Sequence, residues 1–106
     1  MDRKTKSKYT ARARIIKAMA HPTRLFIVDE LSKDQRCVCE LTKMVGADTS
    51  TVSRHLSVLY EAGIVDYEKR GQQVWYSLKV PCVLNFFNCV ESVIKIQARE
   101  QLELSK

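Results

Sequence analysis

Glycine and proline are scarce in this chain, with three glycines and two prolines in 106 residues. That leaves no glycine-rich loop to cradle a phosphate or cofactor, and no Pro-, Gly- or Ser-rich linker between domains. Histidine is nearly missing as well: His21 and His55 are the only two. No Ser-His-Asp order and no paired-carboxylate pocket is visible, so an enzyme is not expected. There are no internal repeats and no low-complexity stretch. No apolar run approaches the roughly 20 residues of a membrane span. The start, "MDRKTKSKYTARAR", is basic and has no apolar signal core. The expectation is a cytoplasmic protein with no membrane partner. Disulfides are rare there, so four cysteines read as metal-binding, redox-active or buried thiols rather than as staples.

What is present fits one small domain spanning residues 1–106. A core of this size is marginal alone, and burying more surface in a dimer would help it. The formal charge is +6, which favours an anionic partner. Arg3, Lys4, Lys6, Lys8, Arg12, Arg14 and Lys17 crowd the N-terminal part, where residues 1–9 read as a basic arm. Lys69 and Arg70 form a second concentration.

"TARARIIKAMA" reads as a helix, interrupted at His21-Pro22 because the residue before proline is pushed out of the α region. Pro22 then suits the first turn of "PTRLFIVDELSK", whose inward face reads as Leu25, Val28 and Leu31 with Phe26. A short helix from about Glu40 to Val45 ends at Gly46. Asp48 is a good N-cap for the next, which runs to Ala62 before Gly63. Val52, Leu56 and Leu59 face inward there, leaving Ser50, Thr51, Ser53, Arg54 and Ser57 outside. "IVDYEKRGQQVWYSL" alternates as two strands, Ile64 to Lys69 and Val74 to Leu78, around a basic turn. The expected fold is therefore mainly α with a small β-hairpin, a winged helix-turn-helix.

The last segment, residues 82–104, reads as one long helix. Cys82, Phe86, Cys89, Val93 and Ile96 form one apolar stripe, and Val83, Phe87, Val90 and Ile94 form a second beside it. A face this wide exceeds what one small core covers. A homodimer through the terminal helices is expected, with Val83, Phe86, Phe87, Val90, Val93 and Ile94 at the interface.

With these features in place the chain resembles the ArsR/SmtB family of bacterial winged helix-turn-helix repressors. The resemblance runs from "AMAHPTRLFIVDEL" through "CVCELTKMVGADTSTVSRHLSVLYEAGIV" to "KRGQQVWYSL". "CVCEL" is similar to the metal-binding box of the arsenite- and cadmium/lead-responsive members. The resemblance implies a dimer that represses metal-resistance genes and leaves its operator when a toxic metal binds.

The residues support that role. The second helix of such a pair enters the major groove, so Ser50, Thr51, Ser53 and Arg54 are expected at base edges and phosphates. His55 is either a DNA contact or a packed, hydrogen-bonded ring. Lys69, Arg70 and Gln73 on the wing are expected at backbone or minor groove. A two-fold dimer calls for an imperfect inverted repeat as operator.

Residues two apart on a helix point to nearly opposite sides, whereas in an extended segment they share one. Cys37 and Cys39 can therefore ligate one ion only if Cys37 lies outside the helix or the helix start unwinds. Thiolates select soft ions. Two suit As(III) or Sb(III), while Cd(II) or Pb(II) would want more. The arsenite-responsive members often place a third cysteine three residues after the pair, and this chain has Thr42 there. Cys82 or Cys89, water or a small thiol could complete the set; otherwise Cys82 and Cys89 read as packing residues. Alternative readings are a thiol-redox regulator of the same fold, a Cd(II)/Pb(II) sensor, or a metal-buffering protein.

Overall fold

The computed structural model describes residues 1–105. Asp2 starts the first helix, its carboxylate accepting the Thr5 N–H at 2.7 Å, so α1 spans Arg3–Met19. The segment expected as a basic arm is thus helical from its third residue. A capping aspartate followed by Lys, Ala and Arg, all good helix formers, accounts for the difference. Only Ala18 and Met19 of α1 are buried, so this helix meets the core through its last turn.

His21 then adopts an extended conformation and caps α2 (Pro22–Lys33), accepting the Thr23 N–H on Nδ1 at 3.1 Å. The buried face of α2 is Ile27, Val28 and Leu31, joined by Glu30. Leu25 and Phe26, expected inside, stay about 40% exposed. The helix is turned so that Ile27, rather than those two, enters the core. Burial of the Glu30 carboxylate needs compensating charge. Lys33 at 3.0 Å and Arg36 at 3.8 Å supply it.

A two-residue strand follows, β1 (Arg36–Cys37), with no sequence signal of its own. Next come α3 (Val38–Val45) and α4 (Thr49–Glu61). Gly46, at φ +78, ends α3 in the left-handed region that glycine tolerates. The hairpin is β2 (Val65–Arg70) and β3 (Gln73–Leu78), closed by Gly71-Gln72. The sheet is antiparallel in the order β1-β3-β2, with Cys37 opposite Trp75 and Arg70 opposite Gln73. This is the wing, anchored to the helix pair by β1.

The core gathers Met19, Ile27, Val28, Leu31, Leu41, Val52, Leu56, Leu59, Ile64 and Val65. It seats α3 and α4 against α2 and the base of the wing. The final helix, α5 (Val83–Leu104), has no buried residue. Val83 and Phe87 pack against the core, while Phe86, Val90, Val93 and Ile94 are exposed on the single chain. No helix among the described residues is long and apolar enough to cross a membrane.

Leu56 is fully buried where α4 meets the core. Leu56→Ala should cost about 2–5 kcal/mol in urea unfolding. Phe26→Ala, at a half-exposed site, should cost less than half as much.

Candidate thiol switch and nucleic-acid interface

Cys37 is the last residue of β1 and the N-cap of α3, with extended backbone (φ −79, ψ 161). Cys39 is the second residue of the helix. With Cys37 outside the helical turn, the two side chains converge. Their Cα atoms are 5.3 Å apart and their sulfurs are joined as a disulfide. The expectation that thiols here would not be stapled is thus corrected for this pair. The extended N-cap is the physical reason, because it swings Cys37 to the side on which Cys39 emerges.

The same sulfur performs a second task. The Glu40 N–H donates to Cys37 Sγ at 3.3 Å, while the Cys37 N–H donates to Glu40 Oε1 at 3.1 Å. That is a capping box in which sulfur replaces the usual hydroxyl. Cys37 is 2% exposed, whereas Cys39 faces solvent. In the dithiol form, a helix N-terminus favours thiolate, and two sulfurs on one side offer a soft ion two ligands. Among the described residues no group of three or more His, Cys, Asp or Glu side chains gathers around an ion site. The Thr42 hydroxyl is turned to the Val38 carbonyl at 2.7 Å. Cys82 and Cys89 are free thiols exposed on the single chain, on the α5 face expected to pair with a second copy. Their stripe on α5 lies outside the chain's own core.

The pair is tied to the wing. Cys37 sits opposite Trp75 in the sheet. Gln73 reaches Cys39 Sγ through a weak Nε2 contact at 3.9 Å and accepts the Trp75 indole N–H at 3.2 Å. Arg70 lies over the Trp75 ring, 5.0 Å from its centre, and donates to Gln35 Oε1 at 2.6 Å. Two of the three wing residues expected at DNA, Arg70 and Gln73, therefore belong to the network around the thiols. Lys69 is exposed on β2. The role of Trp75 as the hub has no signal in sequence, because the β1–β3 pairing that brings it to Cys37 joins residues 38 positions apart.

On α4, Asp48 accepts the Thr51 N–H at 2.7 Å and the Ser50 hydroxyl at 2.9 Å. These hydrogen bonds, with Arg54 adding a smaller charge effect, hold its carboxyl below the usual range. Ser50, Arg54 and Ser57 are exposed, and Thr51 and Ser53 are half-buried. His55 is directed inward. Its Nδ1 accepts from Arg24 Nε at 3.1 Å, and its ring lies 4.5 Å from that of His21. The geometry favours the packed reading for this residue. Arg24, which sequence reasoning passes over, also donates to the Ala18 carbonyl at 3.2 Å and so clamps α1, α2 and α4 together.

A helix pair with a polar, capped second helix and a sheet wing defines a winged helix-turn-helix protein. The family model for bacterial regulatory proteins of the arsR family matches residues 21–67. The chain is 39% identical over 67 residues to a cadmium resistance transcriptional regulatory protein CadC homolog of Staphylococcus aureus, covering 62% of this chain and 55% of that one. It spans only about half the length of that relative and of the SmtB repressors it also matches. A biofilm growth-associated repressor of Xylella fastidiosa is 30% identical over 88 residues, covering 83% of this chain and 77% of the relative. The solution structure of a homodimeric winged helix-turn-helix DNA-binding domain from Mycobacterium bovis superposes with a TM-score of 0.78 at 25% identity, over 94% of this chain and 93% of that one. The chain belongs to the ArsR family.

Burial lowers the His55 pKa below its ordinary value of 6.5, helped by the charges of His21, Arg24 and Arg54. A histidine depressed on folding binds more protons when unfolded, so its contribution is complete above about pH 6.5 and fades as pH falls below it. Unfolding midpoints in urea should therefore drop between pH 7 and pH 5. His55→Gln should flatten that slope.

Proposed function

We propose that this chain is a metal(loid)-responsive transcriptional repressor whose inducer is taken by Cys37 and Cys39. The observation that carries the reading is the convergence of the two sulfurs at the N-cap of α3, the first helix of the DNA-reading pair. As(III) or Sb(III) is the inducer that two thiolates serve best, with a third ligand from Cys82, Cys89, water or a small thiol. Cd(II) and Pb(II) compete for the role. The CadC relative is named for cadmium resistance, but a full cadmium sulfur set needs more donors than the pair provides.

In the repressing state the protein is a homodimer. Exposed Phe86, Val90, Val93 and Ile94 on α5 support this, as does the homodimeric relative of similar fold. Its operator is an imperfect inverted repeat, with the two α4 helices spaced about 34–36 Å apart, one turn of DNA. Ser50, Thr51, Ser53 and Arg54 read the groove. Arg54 is the residue best suited to a bidentate pair with guanine, worth about 1–3 kcal/mol. Lys69, Arg70 and Gln73 touch the backbone or minor groove, and His55 supports the helix from behind.

Ion capture withdraws electron density from the sulfur that caps α3. It also perturbs the sulfur contacted by Gln73. Both ends of the reading head, helix start and wing, then change together. An ion releases DNA only if it binds the released state more tightly.

A second reading is oxidative, and the disulfide itself favours it. Two thiols and one hydrogen peroxide give the disulfide and two waters, the sulfurs losing two electrons to the peroxide. The cap on α3 is intact with the disulfide formed, so on this reading the signal is the bond that ties the two sulfurs together rather than loss of the cap.

Fluorescence titration of promoter DNA with the fully reduced protein tests the leading reading. Arsenite or antimonite should release DNA, and Cys37→Ser or Cys39→Ser should raise the concentration needed at least tenfold. Of Cys82→Ser and Cys89→Ser, the one that also blunts release marks the third ligand. Release by peroxide but not by arsenite under full reduction selects the oxidative reading. Normal metal sensitivity in both pair variants overturns the sensor assignment. Failure to bind any promoter fragment would point instead to a metal-buffering protein.

A further inference from the structure

The sequence concentrates positive charge near its start, and the fold arranges part of that charge into a line. At 100° per residue, Arg3, Lys6, Ser7, Thr10, Arg14 and Lys17 fall within about a third of the circumference of α1. Arg3, Lys6, Ser7, Thr10 and Arg14 border one shallow recess of about 360 Å³. Arg14 and Lys17 border a second, of about 480 Å³, together with Arg24, Arg54, Ser57 and Glu61. Arg14 belongs to both, so the surface is continuous from the start of α1 to Arg54 on α4.

The other cations of the helix are differently placed. Lys8 and Arg12 lie against the Tyr9 ring, 5.9 and 5.2 Å from its centre. Ile16 and Met19 border a separate apolar recess against α5. Among the described residues, none of Arg3, Lys6, Arg14, Lys17 or Arg54 forms a salt bridge, and neither does Glu61, the one carboxylate in the second recess. A line of unpaired cations with two hydroxyls between them is suited to a regularly spaced polyanion.

We propose that this face of α1 is a second DNA-binding surface, which grips the sugar–phosphate backbone beside the stretch read by α4. From Arg3 to Lys17 the helix rises roughly 21 Å. That length can face several successive phosphates of one strand. The stripe touches no bases, so it adds affinity without adding sequence preference. It extends the footprint outward from Arg54. The inference rests on the operator-binding reading above.

The salt dependence of binding tests it. Binding of the intact protein to its own promoter fragment and to a random-sequence duplex is measured over a range of salt concentrations. Lys6→Gln/Arg14→Gln/Lys17→Gln should reduce the slope of log K against log salt by about 0.9 for each phosphate no longer neutralised, so by roughly 2–3 in all. Affinity for both DNAs should fall by the same factor. Lys4→Gln/Lys8→Gln/Arg12→Gln removes equal charge from the other sides of the helix and should leave the slope near wild type. An unchanged slope in the stripe variant, or an equal reduction in both variants, overturns the proposal. Wild-type protein that binds neither DNA would overturn the operator reading itself, a distinguishable result.

Discussion

Cys37 carries three constraints at once, and the arrangement of the reading head follows from them. Its backbone pairs with Trp75 at the edge of the wing. Its sulfur caps α3 through the Glu40 N–H. The same sulfur meets Cys39. Each condition requires an extended residue immediately before a helix. A helical Cys37 would forfeit the strand pairing, uncap α3 and turn its sulfur away from Cys39. Strand edge, helix start and thiol pair are therefore one structural unit.

The size of the cap bounds what the pair can do alone. An N-cap side chain is worth about 0.5–2 kcal/mol, which corresponds to a shift of roughly two- to thirtyfold in an equilibrium. On the proposed reading, weakening this acceptor accounts for modest release of DNA and no more. A larger response has to draw on the wing. The route is present: Cys39 to Gln73, Gln73 to Trp75, and Trp75 to the Arg70 guanidinium. Its first link, a long sulfur contact, is the weakest. An ion that pulls Cys39 away from Gln73 would free the amide without breaking a strong bond.

Much of this is legible in sequence where the signal is local. Pro22, Gly46 and Gly63 mark helix ends by their backbone chemistry and Asp48 by its capping side chain, and each marks one here. The stripe of Val52, Leu56 and Leu59 is buried as its spacing predicts. The requirement that Cys37 lie outside a helix follows from side-chain direction alone. Features made by distant partners are illegible. β1 is two residues long and exists because β3 lies beside it. Arg24 matters because it meets His55, 31 residues away. The face of α2 is ambiguous because "LFIV" has four consecutive apolar residues, and periodicity cannot choose among them. Cys82 and Cys89 read as packing residues because they sit on an apolar stripe, but the single chain does not contain a surface that covers it.

The thiol pair and the apolar face of α5 lie on different parts of the chain, yet the proposed function needs both. The core that seats α4 is small, and α5 adds little to it from within one chain. Pairing two copies through α5 would fix the distance between recognition helices, and operator binding depends on that distance. On that reading a change at the start of α3 would matter because a shifted α4 would be mis-spaced in both halves of the dimer. The coupling is also reciprocal. Whatever factor the ion takes from DNA affinity, operator DNA must take from ion affinity. On this reading the DNA-bound dimer is the poorer ligand for the ion. A sensor of this construction responds first through its unbound population, so its threshold rises when more operator is occupied.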